Sequence, residues 1–222
     1  RIGYVNKMDR IGADFYAVLE EIHEKLRSNA VPIHIPIGRE NSFEGTIDLI
    51  RMEEAHWSQD AYGSTIEYRP IRDDYRQIAE QWRENLMDAV TAVSDELTEL
   101  YLEGAHIPQE LLYRVIRDET VAERMMPVFC GASLRNVGVQ PLMDAIVDFL
   151  PAPHELPPIM GHHMKKEEDL EIERSVDGQP LALVFKIQTD REAGNLSFIR
   201  VYSGTIKAGS AVYNVAKKKR ER

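Results

Sequence analysis

An apolar run that breaks abruptly into amide, amine and carboxylate side chains leaves few folds open to a chain. Such a break lies at the start of this one, where Ile2-Gly3-Tyr4-Val5 gives way to Asn6-Lys7-Met8-Asp9-Arg10. The pattern is that of a buried strand whose carboxyl end presents polar side chains, the edge at which open α/β sheets bind ligands. The chemistry at that edge suits guanine. A carboxylate at Asp9 can accept from both the ring N1–H and the exocyclic amine, a donor pair that adenine lacks. Asn6 is in reach of the O6/N7 edge, and the Lys7 stem can lie along the base plane with its charge in solvent. By itself the motif equally describes a polar turn between a strand and a helix, so its meaning depends on a second one.

Asp14 opens a predicted helix with Phe15, Val18, Leu19, Ile22 and Leu26 on one face and Asn29 at its exit. From Val31 the texture changes. Short apolar runs at 31–37, 43–50, 55–57 and 65–68, punctuated by Gly38, Asn41 and Gly63, predict mostly antiparallel strands of an inserted subdomain. Three predicted helices follow. The first sits behind a cap at Asp73 with Tyr75, Ile78, Ala79, Trp82, Leu86, Ala89, Val90 and Val93 inward. The second runs from Ser94 towards Gly104, and the third starts at Pro108 with Leu111, Leu112, Val115 and Ile116 inward. Acids outnumber bases over residues 73–123, which fits either a solvated face or an acidic docking surface.

The second motif begins at Pro127-Val128-Phe129-Cys130. It continues as the loop Gly131-Ala132-Ser133-Leu134-Arg135-Asn136-Val137-Gly138 and a helix stopped by Pro151 and Pro153. If this strand lies beside the first in a parallel sheet, both loops open on one edge. The backbone N–H groups of Ala132, Ser133 and Leu134 can then donate to the guanine O6 that Asn6 and Lys7 approach. Residues 154–179, rich in Pro, charge and His, read as a linker. Beyond them, runs at 181–187, 196–202 and 211–215 predict three strands, too few to close a barrel.

The formal net charge of -10 argues against a general nucleic-acid binder. No apolar run is long enough to span a bilayer, there is no signal-peptide pattern, and the single Cys130 allows no internal disulfide. A cytoplasmic setting without a membrane is therefore expected. The start at Arg1, inside a predicted strand, suggests a piece of a longer protein.

Asn6-Lys7-Met8-Asp9-Arg10, the run Cys130-Gly131-Ala132-Ser133-Leu134-Arg135-Asn136-Val137-Gly138-Val139-Gln140-Pro141-Leu142 and the run Arg200-Val201-Tyr202-Ser203-Gly204-Thr205-Ile206-Lys207-Ala208-Gly209 together resemble the elongation factor G family of bacterial translational GTPases. The likeness runs in order over essentially the whole chain. It implies an α/β fold: part of a P-loop GTPase-type parallel sheet with an inserted α+β subdomain, followed by the first strands of an all-β barrel domain. The implied boundaries are 1–30 and 121–153 for the GTPase domain, 31–120 for the insert, 154–179 for the linker and 180–222 for the barrel. The resemblance also implies GTP or GDP as ligand, Mg²⁺ as a cofactor of the parent protein, and GTP hydrolysis that drives tRNA and mRNA through the ribosome. The insert would face the ribosomal stalk proteins, and the barrel would contact small-subunit RNA. The expected guanine-binding residues are Asn6, Lys7, Asp9, Ala132, Ser133 and Leu134.

Two departures from the family bear on function. Where the family usually reads Gly-Ser-Ala, this chain has Gly131-Ala132-Ser133, which keeps the backbone donors but loses any hydroxyl bond from position 132. Nothing matches the phosphate loop, and the switch threonine and Asp-x-x-Gly metal motif are expected ahead of Arg1. The chain by itself is thus expected to hold no catalytic or metal-binding residue and to be inactive or nearly so. Ribosome-protecting resistance proteins and release-factor-recycling GTPases carry related domains and are alternatives. From a different class, so is a stand-alone stalk-binding module without nucleotide chemistry.

Other motifs carry less. Gly204 to Gly209 has phosphate-loop spacing but lacks the Lys and lies between strands, and Asp60-Ala61-Tyr62-Gly63 matches Asp-x-x-Gly but follows the guanine motif. The pair His162-His163 lacks companion ligands at metal-site spacing. Cys130, at a strand end with no nearby His, reads as a buried small apolar residue. The basic run from Lys217 to Arg222 suits either ribosomal RNA phosphates or a solvated strand end.

Overall fold

A computed structural model describes residues 1–222 other than 59–62, 64, 164, 165, 167 and 222, and divides into two units, Arg1–Leu150 and Pro151–Arg222. The first unit starts with β1 (Gly3–Val5) and α1 (Phe15–Leu26). Asp14 caps α1: its Oδ1 accepts from the backbone N–H groups of Tyr16 and Ala17, both at 3.0 Å. Phe15 and Leu19 are buried, whereas Val18 and Leu26 are exposed, so the inward stripe is narrower than its spacing suggests. The helix ends at Arg27 in the left-handed region, two residues before the expected Asn29. Asn29 instead donates from Nδ2 to the Arg124 carbonyl at 3.1 Å.

β2 (Ala30–Pro32) follows, then the antiparallel meander β3 (His34–Ile37), β4 (Gly45–Asp48), β5 (Glu53–Trp57) and β6 (Ile66–Pro70), paired in that order. Three helices, α2 (Asp73–Thr91), α3 (Asp95–Leu102) and α4 (Gln109–Val121), lead to β7 (Met126–Cys130) and α5 (Val139–Phe149). β7 is the centre of a parallel sheet ordered β1-β7-β2, and all five of its residues are buried, as expected for a strand covered on both faces. The apolar run at 31–37 is therefore divided between two sheets. Its first residues pair with β7, Val31 opposite Pro127, and the antiparallel sheet starts only at His34. Asp73, expected to cap α2, lies in its first turn instead, behind Arg72. Ser94 does cap α3, accepting from Leu97 N–H at 3.3 Å.

The meander and its helices share one core with the parallel sheet. Tyr16 of α1 stacks on Trp82 of α2 at 5.4 Å between ring centroids, and Tyr113 of α4 stacks on Phe149 of α5 at 5.6 Å. On β7, Phe129 lies 5.1 Å from the His34 ring of β3. Polar groups drawn into this core have partners. Glu54 accepts from Arg72 N–H and Nε–H at 2.9 and 3.1 Å, and His34 contacts Thr46 Oγ1 at 3.1 Å. Among the described residues no buried side-chain nitrogen or oxygen lacks a hydrogen-bond partner.

Among its described residues the second unit holds three antiparallel pairs: β8 (Ile159–His162) with β9 (Asp169–Ile172), β10 (Leu181–Asp190) with β11 (Gly194–Ser203), and β12 (Val212–Asn214) with β13 (Lys219–Glu221). The stretch read as a linker thus contains a hairpin. At its tip His162 Nδ1 lies 3.1 Å from Asp169 Oδ1. The basic terminal run folds back as β13, with Lys217 and Lys219 Nζ at 3.3 and 3.4 Å from Glu221. Gly204 has φ +67, and a Cβ there would come within 2.6 Å of the Gly178 carbonyl. The glycine serves a close backbone approach, away from any helix start.

Phe129→Ala removes the ring that touches both sheets of the first unit and is expected to cost about 3–5 kcal/mol. Hydrogen exchange should lose protection in β4 and β5 together with β1 and β2. Unchanged protection in the meander would mean that it folds by itself.

Candidate functional site

Parallel pairing of β1 with β7 sets Val5 opposite Cys130, so the residues that follow each strand emerge side by side. Gly131 N–H donates to the Val5 carbonyl and Met8 N–H donates to the Gly131 carbonyl, each at 3.0 Å. Asn6 spans the gap. Its Oδ1 accepts from Lys7 N–H at 2.8 Å and from Ser133 N–H at 3.0 Å, joining the two loops through one carbonyl. Lys7 adopts φ 64, an uncommon conformation for a residue with a Cβ. Asn6 and Lys7 are exposed and Asp9 is half-buried, while Met8 between them is 1% exposed and anchors the turn in the core.

The three backbone donors expected to face the base are differently employed. Ala132 N–H donates to the Val137 carbonyl at 3.0 Å and Ser133 N–H to Asn6, which leaves the Leu134 N–H as the one of the three without a partner among the described residues. The Leu134 side chain is 89% exposed on the same edge. Ala132 is buried, and its methyl group requires no hydrogen bond where a hydroxyl would need one.

Tight packing fixes the second loop. Tyr4 donates from its hydroxyl to the Val137 carbonyl at 3.0 Å. Burial, with a smaller push from Cys130, raises its phenol to about 12, so the donor proton stays in place at neutral pH. A Cβ on Gly131 would lie 2.2 Å from the Tyr4 hydroxyl and 2.3 Å from the Val137 carbonyl, so only glycine fits. Burial also pushes the Cys130 thiol far up, and its Sγ lies 3.8 Å from the His34 carbonyl; the residue is an inert part of the core.

Residues 1–152 match the family model described as Elongation factor Tu GTP binding domain, and residues 179–222 match that of Elongation factor G domain 2. The chain belongs to the elongation factor Tu GTP-binding domain family. Elongation factor G 1 of Treponema denticola is 51% identical over 222 residues, all of this chain and 32% of the relative. Elongation factor G 2 of Treponema pallidum is 48% identical and elongation factor G of Thermotoga petrophila 44%, again over all of this chain and 32% of the relative. The chain thus spans about a third of the length of these curated relatives. A crystal structure of a Thermus thermophilus protein aligns with a TM-score of 0.69 at 26% identity, covering 100% of this chain and 30% of that one.

Within this GTP-binding domain, several residues that hold the site carry no sequence signal of their own. Glu40 N–H donates to the Met8 carbonyl at 2.9 Å, and its Oε1 accepts from Gly12 N–H at 2.8 Å. Asn136 Nδ2 and Gln140 Nε2 both donate to the Gly63 carbonyl, at 3.1 and 2.7 Å, and Trp57 Nε1 donates to Gln140 Oε1 at 2.9 Å. The meander thereby braces both loops. Among the described residues no group of three or more His, Cys, Asp or Glu side chains could hold a metal ion. Asp60, Ala61 and Tyr62 of the Asp-x-x-Gly match lie outside the described residues.

Gly131→Ala is expected to destabilise the first unit by about 1–3 kcal/mol through overpacking. Adding Tyr4→Phe should recover only part of the loss, because the Val137 carbonyl still blocks the new methyl group. Full recovery in thermal melts would contradict this geometry.

Proposed function

We propose that this chain supplies the base-reading part of a guanine-nucleotide site in a translational GTPase, whose whole activity is GTP hydrolysis coupled to movement of tRNA and mRNA through the ribosome. The observation that carries the reading is the Asn6 carbonyl joined to both loops, with Asp9 and the Leu134 N–H on the same edge. Asp9 accepts from guanine N1–H and the exocyclic amine, and Leu134 N–H, next to Ser133, donates to O6. The Asn6 amide nitrogen is left for N7, and the Lys7 stem lies along the ring. The Asp9 and Leu134 contacts reward guanine and leave polar groups unpaired with adenine, whereas the N7 and ring contacts serve either purine. Phosphate and Mg²⁺ contacts come from residues other than these, so these residues set specificity and orientation, not the rate of hydrolysis.

In this reading β1, α1, β2, β7 and α5 are the GTPase domain, β3 to β6 with α2, α3 and α4 are its insert, and β10 onward opens the barrel domain. The partner is the ribosome, met through its stalk proteins by the insert and through small-subunit RNA by the barrel, in the cytoplasm. Relatives named elongation factor G support the translocation reading over the other translational GTPases.

Two measurements test the proposal. In the full-length gene product carrying these residues, GDP should bind in strong preference to ADP. Asp9→Asn should abolish that preference and favour xanthosine diphosphate, whose C2 carbonyl accepts where the guanine amine donates. Equal affinity for GDP and ADP in the unmodified protein would refute the base site. Glu80, Glu84 and Asp88 are exposed along one face of α2, so reversing their charges should weaken stalk-protein binding, most strongly at low salt. Unchanged affinity would remove that surface from the account.

A further inference from the structure

We propose that Glu40 is a positioning residue for guanine recognition, a role that rests on the base-site reading above. Asp9 lies in a turn between Met8 and Gly12, and Glu40 holds both ends of it. Its backbone N–H donates to the Met8 carbonyl at 2.9 Å and its Oε1 accepts from Gly12 N–H at 2.8 Å. Met8 N–H is bonded to Gly131, so the residue before Asp9 is fixed from both strands, whereas Glu40 ties down the residues after it.

The turn that carries Glu40 is itself rigid and belongs to the insert. Glu40 has φ 53, a conformation that a non-glycine residue keeps only when its surroundings impose it. Ser42 Oγ donates to the Arg39 carbonyl at 2.7 Å and accepts from Arg39 N–H at 3.1 Å. Gly38 N–H donates to the Tyr75 hydroxyl of α2 at 2.9 Å, and a Cβ on Gly38 would lie 2.0 Å from the Ser42 carbonyl. A continuous path of bonds therefore runs from α2 through the Gly38 turn to the backbone on either side of Asp9. Glu40 touches no base in this arrangement. It sets the direction from which the Asp9 carboxylate meets one.

A misdirected Asp9 carboxylate weakens the N1–H contact for any nucleotide that carries N1–H, but the contact with the exocyclic amine is lost to guanine alone. Inosine diphosphate keeps N1–H and O6 but lacks that amine, so the ratio of GDP to IDP affinity reports how well Asp9 is aimed. Titration calorimetry on the full-length gene product should show Glu40→Ala narrowing this ratio about tenfold, the size of one hydrogen bond to a charged group. Glu40→Gln keeps an oxygen for Gly12 N–H and should keep the ratio within about twofold. If Glu40→Ala does not fold, Glu40→Asp, one methylene too short to reach Gly12, must show the same narrowing. Equal weakening for both nucleotides, or an unchanged ratio, would overturn the positioning role and leave Glu40 a structural residue. Asp9→Asn separates the two readings. If it collapses the ratio while Glu40→Ala does not, only the Glu40 role falls; if it leaves the ratio intact, the base site and the Glu40 role fall together.

Discussion

One carbonyl oxygen, Asn6 Oδ1, accepts from Lys7 N–H in its own loop and from Ser133 N–H in the other. The arrangement of the first unit follows from making that bond possible. Residues 6 and 133 become neighbours only because β1 and β7 run parallel with Val5 opposite Cys130. Parallel strands cannot be joined by a tight turn, so the chain must leave the sheet and return. In that long excursion lie α1, β2, the β3 to β6 meander and the helices α2 to α4.

Because the excursion returns to the sheet, it is not energetically separate from the site. Tyr16 on Trp82, Tyr113 on Phe149 and Phe129 beside His34 merge the two sheets into one core, and protein interiors packed at crystal-like density transmit displacement. The meander also reaches the loops directly, through Glu40 on one side and the Gly63 carbonyl on the other. A displacement of the meander would therefore shift the loops after β1 and β7 directly.

The elements legible in the sequence were those whose signal is local. The strand before Asn6, the helix starts at Asp14 and Ser94 and the helical spacing of Leu111, Leu112, Val115 and Ile116 follow from side-chain chemistry within a turn or two, whereas the cap expected at Asp73 does not form. What was hidden depends on partners distant in sequence. The run at 31–37, Val-Pro-Ile-His-Ile-Pro-Ile, keeps one alternation throughout, and nothing in it singles out the point where pairing passes from β7 to β4. The β8–β9 hairpin is short, polar and largely exposed, and its composition is that of a linker. Glu40 bonds to a backbone N–H 28 residues away, which no spacing rule reports. Ala132, Ser133 and Leu134 form the expected loop, yet only the structure distinguishes their three amides by the partners each has taken.

The most direct test of the account is amide-resolved hydrogen exchange at Ser133 and Leu134 in the full-length gene product, with and without GDP. Ser133 should be protected in both states despite its exposed position, because Asn6 Oδ1 holds its proton. Leu134 should exchange freely without nucleotide and become protected when guanine O6 takes its N–H. Fast exchange at Ser133 in both states, or a Leu134 amide indifferent to GDP, would contradict the claim that these two loops form one base-reading site.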